Sequence, residues 1–393
     1  MTPRHDATND DPLLSVRDLR VRFETDGDSV RAVRGIDFDV ERGETVCIVG
    51  ESGSGKTVTI ESITGLLRSP PASIEGEIRF DGHDLTGMSA ARLRRVRGER
   101  IAHVFQDSAG SFNPVYTVGA HLREAIGAHR DVTRREGRER AIELLEGVGV
   151  PAPASRVDAY PHELSGGLRQ RVAIAIALAC EPDLLLADEP TTALDVTVEA
   201  AVLDLLAELQ SIHGMSICYV THDLGVVAQL ADRVIVLYDG CVVERATVYD
   251  LFERPAHPYT RKLLSSLPGR DGDRTQRWDD SATPGDEPVD ASTPPRHGSD
   301  GIVNSPSDRA PPASGCRYAG RCPHARPDCR EWEQTLLPVP NSGDGHVAAC
   351  LLYGDEFEAS SLERSSESGS ASSKPPADSS SSTGSGDSGG ETR

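Results

Sequence analysis

Long apolar runs are missing from this chain of 393 residues. "VAIAIALAC", ending at Cys180, is among the longest, and it stops well short of the roughly 18 apolar residues needed to cross a bilayer. No helix is therefore expected to span a membrane by itself. The apolar centre of an export signal is missing as well. "MTPRHDATND" opens with charged and polar side chains, so the thiols are expected to stay reduced inside the cell. Basic residues are in deficit, 41 Lys and Arg against 62 Asp and Glu, for a formal net charge of −21. A chain short of cations cannot neutralise a run of phosphates, which excludes non-specific nucleic-acid binding as the main function. The acids are spread along the whole chain and Arg far outnumbers Lys. This reads as a solvated surface, either ordinary acidic solubility or a halophilic adaptation to a salty cytoplasm that screens self-repulsion. No internal repeat is present.

What remains divides by composition. Residues 1–12 are polar and expected to be disordered, whereas 13–268 carry apolar patterning with punctuated turns, enough to bury a sizeable core. Residues 269–312 are rich in Pro, Gly and Asp and read as an acidic linker; 313–353 hold four of the eight cysteines; and 354–393 form a Ser/Gly-rich acidic tail too poor in apolar residues to fold. Within the globular part, "ETVCIVG", "RIAHVFQ", "DLLLAD", "SICYVTH" and "RVIVLY" are buried-strand candidates. Helical patterns stand between several of them, notably over 166–180 and 196–211. Strands alternating with helices predict an α/β fold with a parallel sheet. "LLSVRDLRVRFET" and "VRAVRGIDFDV" alternate apolar and polar, as an antiparallel sheet does.

"GESGSGKT", Gly50 to Thr57, fits the phosphate-loop pattern and lies between a strand and a helix, the context the pattern requires. Gly50, Glu51, Ser52, Gly53, Ser54 and Gly55 let backbone N–H groups close on an anion. Lys56 then reaches the β- and γ-phosphates and the Thr57 hydroxyl ligates Mg²⁺. "LLLADEP" supplies the complement: an apolar strand ending at Asp188, a magnesium ligand, followed by Glu189, placed to orient or deprotonate an attacking water. Downstream of the P-loop, "LSGGLRQR" has Ser165, Gly166 and Gly167 opening a helix, a second anion-binding terminus. Two such termini with one P-loop point to a nucleotide shared between two chains.

That octet resembles the signature motif of ABC ATPases, and the resemblance implies further roles. Gln106 in "VFQD" resembles the Q-loop glutamine that senses magnesium and water. Asp195 in "TTALD" resembles the D-loop aspartate that crosses the dimer interface. His222 in "YVTHD" resembles the switch histidine on the γ-phosphate, and Phe23 is the aromatic expected to stack on adenine. The fold implied is a P-loop NTPase, an ABC nucleotide-binding domain with an antiparallel β subdomain and a helical subdomain over about 113–165. Beyond it stands a small C-terminal cysteine-rich extension. "QDSAGSFNPVYTVGAHL" and "PAHPYTRKLLSSLP" narrow the likeness to the ATPases of oligopeptide and dipeptide importers, whose relatives also move nickel and, in some archaea, sugars. Thr57 in place of serine, Leu168 in place of methionine and the altered "DSAGSFNP" are small departures that touch no chemistry.

The resemblance implies ATP and Mg²⁺ as cofactors and a peripheral position on the cytoplasmic face of the membrane. It implies two transmembrane permease subunits, a second ABC ATPase (a paralogue or a copy of this chain) and an extracytoplasmic solute-binding protein as partners, with no nucleic acid. A soluble, nucleic-acid-linked ABC ATPase would carry two fused cassettes or a long coiled coil, neither visible here. A redox- or metal-sensing regulator would leave the His-Pro-Tyr element unexplained. Cys316, Cys322, Cys329 and Cys350 are separated by five, six and twenty residues, spacings that match neither zinc knuckles nor common ferredoxins. Residue spacing leaves the metal open, with His324 and His346 as alternative zinc ligands. The family likeness implies a structural 4Fe-4S cluster on the four cysteines, and hence a brown protein. Cys47, Cys180 and Cys218 are expected to be inert core residues, and Cys241 to begin a strand.

Overall fold

A computed structural model describes residues 11–24, 29–67, 69–106, 110, 112–191, 194–267 and 315–354. All of the linker assigned to 269–312, the tail beyond 354, most of the N-terminal segment and part of "DSAGSFNP" lie outside the described residues, as do Thr192 and Ala193 of the D-loop motif.

The alternating segments near the start form a four-stranded antiparallel sheet. It contains β1 (Leu14–Glu24), β2 (Ser29–Val40), β4 (Ala72–Phe80) and β5 (His83–Asp84), in the order β2-β1-β4-β5. The β-branched runs form the second sheet: β3 (Thr45–Val49), β6 (Ile101–Val104), β7 (Leu184–Asp188), β8 (Ser216–Thr221) and β9 (Arg233–Tyr238). Neighbouring pairs β6–β7, β7–β8, β8–β3 and β3–β9 are all parallel. An antiparallel β10 (Cys241–Thr247) follows β9, and two short strands from the cysteine-rich segment, β11 (Leu337–Pro338) and β12 (Val347–Ala348), extend the same sheet beyond it.

Both faces of the parallel strands are buried, so every residue of β3, β7 and β8 is apolar or enclosed. Strand alternation sends Val46, Ile48, Leu184, Leu186, Cys218 and Val220 into one core with Leu14, Leu19, Ile36 and Phe38 of the antiparallel sheet. Cys47, Val49, Leu185, Ala187, Ile217 and Tyr219 enter the other core, against the helices. Among the described residues ten α-helices accompany the sheets: α1 (Lys56–Ile63), α2 (Ala90–Glu99), α3 (Val118–His129), α4 (Arg134–Gly147), α5 (Pro153–Arg156), α6 (Gly166–Ala177), α7 (Val196–His213), α8 (Leu224–Leu230), α9 (Val248–Glu253) and α10 (Pro258–Ser265). Three of them, α3 to α5, fall in the interval expected to be helical. The pattern read as a helix over 166–180 ends at Ala177, and a 3₁₀ turn carries Leu178 to Cys180 because Glu181 turns left-handed at φ 55°.

One compact unit contains all of these elements and runs to Leu351; the other begins at Leu352, its described residues are 352–354, and a short 3₁₀ turn covers Leu351–Tyr353.

Candidate functional site

β3 ends at Val49, and the chain turns through the P-loop into α1. Two glycines are dictated by space. A Cβ on Gly50 would collide with the Leu237 carbonyl, and Gly55, at φ 103°, would put one 2.5 Å from the Ala32 carbonyl of β2. Lys56 is buried and curls back over the loop, its Nζ donating to the carbonyls of Gly50 at 2.8 Å and Glu51 at 3.0 Å. Burial pulls its ammonium pKa down, against the attraction of Glu189 and Asp188.

Parallel pairing brings the C-terminal ends of β3, β7 and β8 side by side, and this gathers residues distant in sequence. Thr57 Oγ1 donates to Asp188 Oδ1 at 3.2 Å. Burial raises the Asp188 carboxyl above its ordinary value, and neighbouring Glu189 adds to the rise, while the Thr57 hydrogen bond and Lys56 act against it. A desolvated carboxylate beside a hydroxyl is a hard-oxygen pair short of positive charge, and it fits Mg²⁺. Glu189 is the hub. Gln106 Nε2 donates to its Oε2 at 3.2 Å, His222 Nδ1 lies 3.1 Å from its Oε1, and Lys56 Nζ is 4.0 Å from the same oxygen. Its backbone stands at φ 42°, held by an N–H bond to Val220 O at 2.9 Å. Such a conformation is uncommon for a residue with a side chain and clusters at functional sites.

Lys56, Thr57, Gln106, Asp188, Glu189 and His222 therefore converge. Ser165 and Asp195 stand at the N-termini of α6 and α7. Each caps a helix: Ser165 accepts from Leu168 N–H at 3.4 Å on α6, and Asp195 from Val198 N–H at 3.0 Å on α7. The bare Gly167 lets α6 lie against Val198 of α7. Phe23 sits near the end of β1, opposite Val30 and Ala72, packed against the core beneath the antiparallel sheet.

Sequence reasoning missed a set of contacts from the far end of the chain. Tyr259 of the His-Pro-Tyr element accepts a hydrogen bond from the Glu51 N–H at 2.9 Å, and Arg321 lies 3.3 Å from the Glu51 carboxylate. Only the unusual run "HPYT" hinted at a role for that segment.

The cysteine expectations divide. Cys47 and Cys218 are wholly buried, with both thiols pushed up by burial, Cys218 to about 12. Cys180 is only half-buried and Cys241 begins β10. Cys316 is pushed up to about 11, chiefly by burial, and both Cys322 and Cys329 lie near enough to add to that rise. None of the four C-terminal cysteines is in a disulfide. Among the described residues, no three His, Cys, Asp or Glu side chains gather as metal ligands. The array as arranged does not fit a cluster or zinc, and the iron–sulfur expectation is without support.

The ABC transporter family model matches residues 33–192, and the model of the oligopeptide/dipeptide transporter C-terminal region matches residues 243–329. A probable peptide ABC transporter ATP-binding protein of Sinorhizobium fredii is 46% identical over 341 residues, covering 86% of this chain and 95% of that one. An oligopeptide transport ATP-binding protein of Bacillus subtilis is 48% identical over 72% of this chain and 79% of its own. A dipeptide transport ATP-binding protein of the same species is 42% identical, over 88% of this chain and 96% of its own. Among solved structures, a dimeric ATP-binding cassette in a post-hydrolysis state with ADP and phosphate matches with TM-score 0.55 at 29% identity, over 60% of this chain and 98% of that one. A subunit of an ABC transporter complex from Clostridium perfringens matches with TM-score 0.54 at 29% identity, over 66% and 97%.

Proposed function

The chain belongs to the ATP-binding subunits of oligopeptide/dipeptide ABC transporters, and from that premise we infer that its ATP hydrolysis powers uptake of oligopeptides or dipeptides through partner permeases. The observation that carries this reading is the convergence of Lys56, Gln106 and His222 on Glu189, beside the Thr57–Asp188 pair.

In this reading the P-loop amides of Gly53 to Thr57 and the Lys56 ammonium hold the β- and γ-phosphates, phosphate oxygens replacing the two carbonyls that Lys56 bonds. Thr57, Asp188 and Gln106 hold Mg²⁺, which when bound neutralises phosphate charge. Glu189 accepts the proton of the attacking water, and His222 and Gln106, bonded to its two oxygens, orient the carboxylate. Phe23 receives the adenine. As the signature motif implies, a second ATPase chain, identical or paralogous, supplies Ser165, Gly166 and Gly167 across the nucleotide, with Asp195 at the interface. Closure of the two chains drives the permeases, and hydrolysis resets them. In this reading the ATPase domain spans 13–268 and the extension 313–353.

Among the described residues no helix is long and apolar enough to cross a membrane, which supports a peripheral place on the cytoplasmic face, with a solute-binding protein acting from outside. The test is purification of the tagged chain from detergent-solubilised membranes. Two multi-span permeases and a second ABC ATPase are expected with it. Recovery with ribosomes or DNA, and no membrane subunit, would contradict the reading.

A further inference from the structure

The P-loop is gripped by segments far along the chain. Glu51, its second residue, is held at two points. Its N–H donates to the Tyr259 hydroxyl, and its carboxylate pairs with Arg321, itself bonded to the Tyr238 hydroxyl at 3.4 Å. The rings of Tyr238, Tyr259 and Tyr318 close a triangle with centroids 4.6, 5.2 and 5.5 Å apart. Tyr238 ends β9, and one residue on, Asp239 pairs with Arg317 at 2.5 Å. Gly240, next again, donates its N–H to the P-loop carbonyl of Ser54 at 3.0 Å. Arg317, Tyr318 and Arg321 therefore bring one turn of the cysteine-rich segment against the P-loop and the loop behind it. In sequence Cys316 and Cys322 bracket that turn, and the Cys316 N–H donates to the Cys329 carbonyl at 2.6 Å.

We propose that Tyr259 and Arg321 are positioning residues for the P-loop, and that the cysteine-rich extension, through its own Arg321 and through Tyr318 packed on Tyr259, sets the affinity for ATP. The proposal rests on the reading of Gly50 to Thr57 as the ATP phosphate site. The loop must present successive N–H groups to the phosphates. A loop already held spends less ordering entropy on binding than one that is free. The Tyr259 hydroxyl accepts the Glu51 N–H at the start of the loop, ahead of the Gly53 to Thr57 amides read as the phosphate cradle. The Arg321 pair is more open, 40% and 37% exposed at its two ends, and its share is accordingly smaller.

The test is equilibrium binding of MgATP to the full-length chain. Tyr259→Phe, which keeps the ring and its packing, should raise Kd about three- to tenfold, the effect of one hydrogen bond. Arg321→Ala should raise it about two- to fivefold with the melting temperature unchanged, and Arg321→Lys should restore most of the loss. Positioning is separated from simple charge attraction by Glu51→Gln. If Arg321 acts through Glu51, Arg321→Ala has little further effect in that background; if it merely attracts phosphate, its effect persists in full and the proposal falls. Wild-type affinity in both Tyr259→Phe and Arg321→Ala would also overturn it. Lys56→Ala serves as the control. Failure of the wild-type chain to bind ATP would overturn instead the nucleotide reading beneath it.

Discussion

At Glu189 a basic, an amide and an imidazole side chain meet one carboxylate that stands on a left-handed backbone. Most of this site was legible because its parts are contiguous motifs: the P-loop, the strand-end acids and the strand-end histidine each carry their own local pattern. The grip of Tyr259 on Glu51 was not legible, since 208 residues separate the two and no periodicity links them. His257 is of the same kind. Its Nδ1 accepts the Tyr259 N–H at 3.1 Å to cap α10, and it is wholly buried. Burial, helped by Arg261, lowers its pKa from 6.5 to about 3. Between these values the unfolded chain binds a proton that the folded chain refuses, so stability is lost as pH falls from about 6.5 towards about 3, by about 1.4 kcal/mol per unit at most from this group. His257→Asn keeps a capping side chain and removes the titration. Denaturant unfolding should show the wild type losing more stability than His257→Asn across that window. Parallel curves would contradict the account.

At the scale of elements, the parallel strands were legible because strands buried on both faces read as apolar runs, and the antiparallel sheet because its strands alternate. The two-residue strands β11 and β12 were not, since a pair of residues carries no pattern. They are fastened by Glu244 of β10, a fully buried carboxylate that accepts the N–H groups of Ala256 at 2.8 Å and His257 at 2.7 Å and lies 2.9 Å from His346 Nε2. The extension is thus built onto the central sheet by a buried polar joint. Glu244→Ala would remove a buried acceptor shared by two backbone donors and a histidine. The expected loss is about 3 kcal/mol, or about 5–10 °C in melting temperature by calorimetry. An unchanged melting temperature would show that the joint bears no load.

At the scale of the whole molecule, composition was informative about charge and silent about assembly. With a net charge of −21, carboxylate repulsion reaches further as the Debye length grows from about 3 Å at 1 M salt to about 10 Å at 0.1 M. The melting temperature should fall on that dilution; a flat response would assign the acids to solubility alone. One chain assembles the P-loop, the acids and the histidine, Ser165 and Asp195 cap helices, and the proposed function puts turnover in an assembly with a second ATPase chain. The central claim is that this assembly hydrolyses ATP with Glu189 as the base that activates water. The measurement is ATP turnover and ATP Kd of the purified transporter complex carrying Glu189→Gln. The account predicts turnover reduced by about 100-fold or more, in the range of general-base contributions, with Kd for ATP close to wild type. Near-normal turnover in that variant would contradict it.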